Sequence, residues 1–237
     1  MANATLEAGS SPAPKSLVAR FFGIITSPRA TYESVVAHPR WFGMLAVATL
    51  GASLLIGGFL MTQVGQDAML VQMQERAGGA DEQRVQAMEK MLPMMGYFYA
   101  AGMLVFIPVF YIVVSGLLWV VMNATMGGDA SFKKLFTVCV HAAPIGILGQ
   151  AFTVPLNYAR GAMTSATNLA VLLPMFEEGS FAASFFGAID LFLIWQLFVL
   201  AIGLAVLYRR RTQPIATILF VIYGVIALII AVVKAGS

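Results

Sequence analysis

The sequence predicts an all-α membrane protein, with five transmembrane helices behind an interfacial amphipathic N-terminal segment. Three observations predict it. Of 237 residues, 59% are hydrophobic and only 11% are charged, and the mean hydropathy is +0.85, whereas a soluble domain carries about 25% charged residues. So few polar side chains cannot cover a soluble sphere of this size, which excludes a soluble enzyme, a nucleic-acid-binding domain and a disordered chain. Five apolar stretches approach or exceed the roughly 20 residues that cross a bilayer as a helix. None alternates polar and apolar residues with period two, so a β-barrel is excluded. Backbone in hydrocarbon must satisfy its own hydrogen bonds, which leaves helices.

Residues 1–14 are small and polar with no apolar core, and predict a disordered tail rather than a signal peptide. Residues 15–40 form a separate segment. Its first part, Ser16–Ile25, is too short to span and carries Leu17, Val18, Phe21, Phe22, Ile24 and Ile25 beside Lys15 and Arg20. That pattern predicts a helix lying in the headgroup layer. Ser27-Pro28 reads as an N-cap with a first-turn proline, and His38-Pro39 as a stop.

Residues 41–237 hold the spans, predicted at Trp41–Met61, Tyr97–Met122, Leu135–Leu156, Ala182–Leu207 and Pro214–Val233. The first loop, Thr62–Gly96, shows apolar positions at helical spacing on both sides of Gly78-Gly79 and predicts two short surface helices with a glycine break. Basic residues set the orientation. Lys15, Arg20, Arg29, Arg40, Lys133, Lys134 and Arg209–Arg211 fall on the N-terminal side, against Arg76, Arg84, Lys90, Arg160 and Lys234 on the other. The positive-inside rule places the N-terminus in the cytoplasm.

Asp190 is the one acid inside a predicted span. A carboxylate at mid-bilayer costs about 2.5–3.5 kcal/mol on insertion scales, so it must face the bundle interior. It reads either as a packing residue or as a proton or ion relay. Depth arithmetic makes Gln150, about 10 Å below the same boundary, its hydrogen-bond partner. His141 lies deeper, with Asn123 as the better partner for it. One Cys and two His cannot assemble a soft-ligand metal site, and no catalytic pair, cofactor loop or metal set is legible. The run Met88, Met91, Met94 and Met95 would suit copper(I) by thioether chemistry, and equally the apolar face of a surface helix. Ala48 with Ala52, and Ala201 with Ala205, are small pairs that let helices approach.

Three blocks stand in order around the five spans: Ser27-Pro28-Arg29-Ala30-Thr31-Tyr32 through His38-Pro39-Arg40-Trp41; Gly127-Gly128-Asp129-Ala130-Ser131-Phe132-Lys133-Lys134 into His141-Ala142-Ala143-Pro144; and Asp190-Leu191-Phe192-Leu193-Ile194-Trp195 with Gly203 and Leu204. Together they resemble the Yip family, the Ypt/Rab-interacting membrane proteins, over about Ser27 to Lys234, in a bacterial member. The resemblance implies a membrane domain without established catalytic residues. Its motif positions map to Gly128, Phe132, Lys133, Pro144, Asp190, Phe192 and Trp195, as structural determinants. Binding of Rab-type GTPases is not expected to carry over, because bacteria lack prenylated Rabs. The sequence therefore predicts a non-enzymatic protein that organises or shapes the bilayer or recruits other membrane proteins, itself included. The alternative is a small channel or transporter with Asp190 on its path.

Overall fold

The computed structural model describes residues 13–76, 82–173, 175–177 and 179–235. The expected tail over 1–14 therefore lies almost wholly outside the described residues, and the Gly78-Gly79 break wholly outside them. Five helical stretches are long and apolar enough to cross a membrane: 42–60, 85–125, 132–160, 191–208 and 212–234.

Helix α1 (Leu17–Thr26) is capped by Ser16, whose hydroxyl accepts from the Ala19 amide. Helix α2 (Pro28–Ala37) starts at the predicted proline and ends one residue before His38. The two form a hairpin that packs against the N-terminal end of the bundle. Val18 and Phe22 stay exposed, whereas Ile24, Tyr32 and Val35 enter the main core. This corrects the purely interfacial reading of Ile24: an amphipathic helix buries its apolar stripe wherever a protein surface is available.

Helix α3 (Phe42–Leu60) is the first span, and α4 (Gln63–Arg76) follows it beyond the far end. Helix α5 (Glu82–Met126) runs for 45 residues through Pro93 and Pro108. The predicted second surface helix is thus continuous with the second span rather than separate from it. The third span is divided into α6 (Phe132–Val140) and α7 (Ala143–Arg160), joined at His141-Ala142. Pro144 sits in the first turn of α7, where its missing N–H costs nothing. Two short helices, α8 (Leu169–Leu172) and α9 (Phe181–Gly187), precede α10 (Leu191–Tyr208), and α11 (Thr212–Ala235) closes the chain.

The main core gathers at the N-terminal end, where Met122, Leu135, Val138, Leu204 and Ile215 are all fully buried. Helix α2 packs along α10 there. A Cβ on Gly203 would lie 2.7 Å from the Tyr32 ring, so glycine sets that close approach. Helix α5 packs mainly on α3 and α6, and exposes Leu104, Val105, Phe106, Val109 and Val113 outward.

Candidate functional site

Hydropathy runs unbroken through the predicted fourth span, Ala182–Leu207. The structure breaks it. Helix α9 ends at Gly187, α10 begins at Leu191, and Ala188–Asp190 lie between them. Both pieces pack on α11. Asp190 is therefore not a mid-helix residue but the N-cap of α10, where its Oδ1 accepts from the Phe192 and Leu193 amides at 2.8 and 3.2 Å. A carboxylate there also meets the positive end of the helix dipole.

The second carboxylate oxygen is filled from a strap after α7. Ser165 and Thr167 hydroxyls donate to Asp190 Oδ2 at 2.7 and 2.6 Å. The strap pairs with the break as a short antiparallel bridge: Leu169 N–H donates to Ile189 O, and Leu191 N–H to Thr167 O. Tyr223 on α11 completes it. Asp190 N–H donates to the Tyr223 hydroxyl at 2.9 Å, and that hydroxyl donates to Ala188 O at 2.8 Å. Tyr223 stands twelve residues before the end of α11, about 18 Å along the axis. The non-helical backbone is thus well inside the bundle, where it persists only because protein groups satisfy it.

Beside the break lies a cavity of about 360 Å³ between α3, α5, α7 and α10. Phe59, Val154, Met163 and Phe192 supply apolar wall, and Gln150, Thr153, Asn157, Ser165, Asp190 and Gln196 converge on it. The expected Gln150–Asp190 hydrogen bond is not made. The two residues share the cavity, but Ser165 and Thr167 hold the carboxylate and Gln150 Oε1 is buried without a partner. Asn157 Oδ1 is in the same state. Depth alone placed Gln150 correctly; the strap residues were missed because nothing in a loop 25 residues away marks them. The signal for the cap was present, since Asp before an apolar run is an N-cap pattern.

The other predicted positions lie elsewhere. His141 Nδ1 donates to Thr137 O at 2.7 Å, and Nε2 accepts from Arg20 Nη1 at 3.0 Å. Its partner is Arg20, not Asn123, because α1 folds over the α6–α7 junction. Arg20 is only 7% exposed and also donates to Arg40 O. Burial, then the charge of Arg40, lowers its pKa, but a guanidinium keeps its proton regardless. Asn123 shares a hydrogen bond of 2.8 Å with the Tyr208 hydroxyl. Gly128 lies under the Tyr208 ring, where a Cβ would sit 2.6 Å from it. Phe132 stacks on Phe136 at 5.8 Å, and the Lys133 carbonyl accepts from Thr137. Asn123 and Gly128 lie at the Tyr208 end of α10, about 27 Å from Asp190 by helix rise, whereas His141 lies between the two places, eight residues or about 12 Å from Gly149, which packs on Phe192. Phe192 packs on Gly149 and tilts against Phe152 and Trp195. The motif positions thus serve two separate places, the N-terminal end and the broken span.

The Yip1 domain matches residues 22–234. The chain belongs to the Yip1 family. A relative, membrane protein YknW of Bacillus subtilis (strain 168), is 29% identical over 193 residues, covering 77% of this chain and 76% of that protein. No solved structure matches. Membership and the five apolar helices together make this an integral, multi-pass membrane protein. In this Yip1 protein, then, the Asp190 block builds a helix break, and the Gly128 and Pro144 blocks build the turns around α6.

Proposed function

We propose that this Yip1 protein is a non-enzymatic organiser of the bacterial inner membrane, shaping one leaflet and presenting apolar helix surface to other membrane proteins. Its N-terminus lies in the cytoplasm. The observation that carries the reading is the α1–α2 hairpin. It is fastened to one end of the bundle by Ile24, Tyr32 and buried Arg20, and it turns Val18, 65% exposed, and Phe22, 60% exposed, outward. A wedge fixed to the bundle on one side only adds apolar volume to one leaflet. The test is reconstitution of the full chain into liposomes at rising protein density, with vesicle diameter read by electron microscopy. Vesicles shrink or tubulate with the native chain, and Val18→Ser with Phe22→Ser abolishes the effect while insertion persists. Unchanged vesicles with the native chain would sink the reading.

The transporter reading has one observation in its favour, the polar cavity beside a broken span. Against it, each oxygen of Asp190 already accepts two hydrogen bonds, which leaves no acceptor for a relay. Proton or ion flux in proteoliposomes that Asp190→Asn abolishes would reverse the ranking.

A further inference from the structure

Between α10 and α11, towards the N-terminal end of the bundle, runs an open groove of about 500 Å³. Its apolar part is walled by Phe198 and Ile202 on α10 and by Ala216 and Phe220 on α11. All four lie inside the last two spans, one ending at residue 208 and the next starting at residue 212. The head of the groove is polar: Thr212 and Gln213 come from the first turn of α11, and Arg29 is brought in from α2. Phe220 stands eight residues along α11 from Thr212, about 12 Å by helix rise. One groove thus joins a guanidinium at the boundary of the spans to an apolar wall beneath it.

The charge of the occupant follows from what surrounds the head. From Leu191 to the C-terminus the sequence carries no acid, and Arg209, Arg210 and Arg211 form the turn between the two helices. With Thr125 and Pro214 they line a second cleft at that turn. Arg29 pairs with Glu33, Nε to Oε1 at 3.8 Å, and both side chains are exposed, 65% and 48%. So long an ion pair in water contributes little, and a better acceptor displaces it. A phosphodiester is such an acceptor, because it takes two parallel N–H bonds from one guanidinium. A headgroup that also carries an ammonium brings that cation towards the arginine turn; a headgroup with net negative charge gains from the same field. A soluble anion would fill the head and leave the apolar wall unused. An uncharged apolar molecule would fill the wall and leave Arg29 unused. An anionic amphiphile matches both parts.

We propose that this groove binds a phospholipid of net negative headgroup, with its phosphate on Arg29, its acyl chain along Phe198, Ile202, Ala216 and Phe220, and the Arg209–Arg211 turn selecting against zwitterionic headgroups. The site is independent of the wedge on α1, since neither Val18 nor Phe22 lines the groove.

The test uses full-length protein, delipidated in neutral detergent and titrated with dihexanoyl phosphatidylglycerol, dihexanoyl phosphatidylcholine and glycerol 3-phosphate while its thermal unfolding is followed. Phosphatidylglycerol stabilises saturably, phosphatidylcholine requires roughly tenfold more, and glycerol 3-phosphate does not stabilise. Arg29→Gln raises the half-saturating concentration of phosphatidylglycerol about tenfold. Thr217→Trp, which fills the groove from an exposed position on α11, weakens both lipids. Arg29 and Thr217 are both at the surface, so neither variant disturbs the core. Lys134→Gln removes a charge from the same end without lining the groove and leaves the response unchanged. Equal stabilisation by the two lipids, glycerol 3-phosphate as effective as phosphatidylglycerol, or no response at all overturns the proposal. So does an undiminished response in either Arg29→Gln or Thr217→Trp. A loss in Lys134→Gln as large as that in Arg29→Gln would assign the effect to the diffuse charge of this end and overturn the site.

Discussion

At the scale of single residues, the tightest constraint is an absent side chain. A Cβ on Gly203 would meet both the Tyr32 ring and Val138 Cγ1 at 2.7 Å. Neither neighbour is the loose end of a flexible chain, so relief requires moving α2 or α6. Gly203→Ala should therefore destabilise by about 1–3 kcal/mol through overpacking, outweighing the roughly 1 kcal/mol that alanine gains over glycine within a helix. Tyr32→Ala in the same chain should recover much of the loss. Unfolding midpoints of the two single variants and the double variant, compared as a cycle, measure that coupling; strict additivity would contradict the contact. Asp190 gives the complementary case. Asn caps a helix about as well as Asp, and the Ser165 and Thr167 hydroxyls can rotate to accept from an amide. Asp190→Asn should cost at most about 1 kcal/mol, and Asp190→Leu at least about 2 kcal/mol, because leucine strips the cap and orphans both hydroxyls. Thermal unfolding in detergent checks the order; equal losses would mean the cap does not matter.

At the scale of elements, the break between α9 and α10 is held by the strap on one side and by a single hydroxyl, that of Tyr223 on α11, on the other. Tyr223→Phe keeps the ring and removes the bridge, leaving Asp190 N–H and Ala188 O unpaired. The cost should be about 1–3 kcal/mol for each group left unsatisfied, less whatever the strap absorbs. Hydrogen exchange at residues 187–191 should rise more than exchange within α10. Uniform protection would show that the strap alone holds the break. Element by element, the spans were legible because hydropathy is a property of consecutive residues. The bounds of α2 were legible too, since Ser27-Pro28 and His38-Pro39 are local punctuation. The break was not. Its backbone groups are satisfied by Thr167 and Tyr223, more than 20 residues away on either side, and no local pattern encodes that. The division of the third span was legible in principle, since Pro144 favours a first turn over a helix interior. The unity of α5 was not, because hydropathy started the span at Tyr97 and left the amphipathic stretch before it as a separate surface helix, whereas the two are one helix, Glu82–Met126. Within the candidate site, Asp190 and Gln150 were found by being polar among apolar residues. Ser165 and Thr167 were invisible, being ordinary residues of a loop.

At the scale of the whole molecule, the distribution of basic residues predicts its orientation. The native thiol, Cys139, is buried, so single added cysteines report against a silent background. With a membrane-impermeant thiol reagent on intact cells, Lys90→Cys should label and Arg210→Cys should label only after permeabilisation. The reverse pattern would invert the protein in its membrane.

Helix α5 has a consequence at this same scale. Its 45 residues make a rod about 67 Å long, while a bilayer with its headgroups is about 40–45 Å thick. Roughly a third of the rod must therefore project beyond the lipid. The outlying stretch still exposes Met91, Met94, Tyr97 and Phe98, side chains that tolerate either water or hydrocarbon. Where the host bilayer thickens, these residues can submerge and the waterline slides along the rod, with little of the tilting or compression that mismatch normally forces on a span. The span that buries the smallest share of its residues is thus the one least tied to any single membrane thickness.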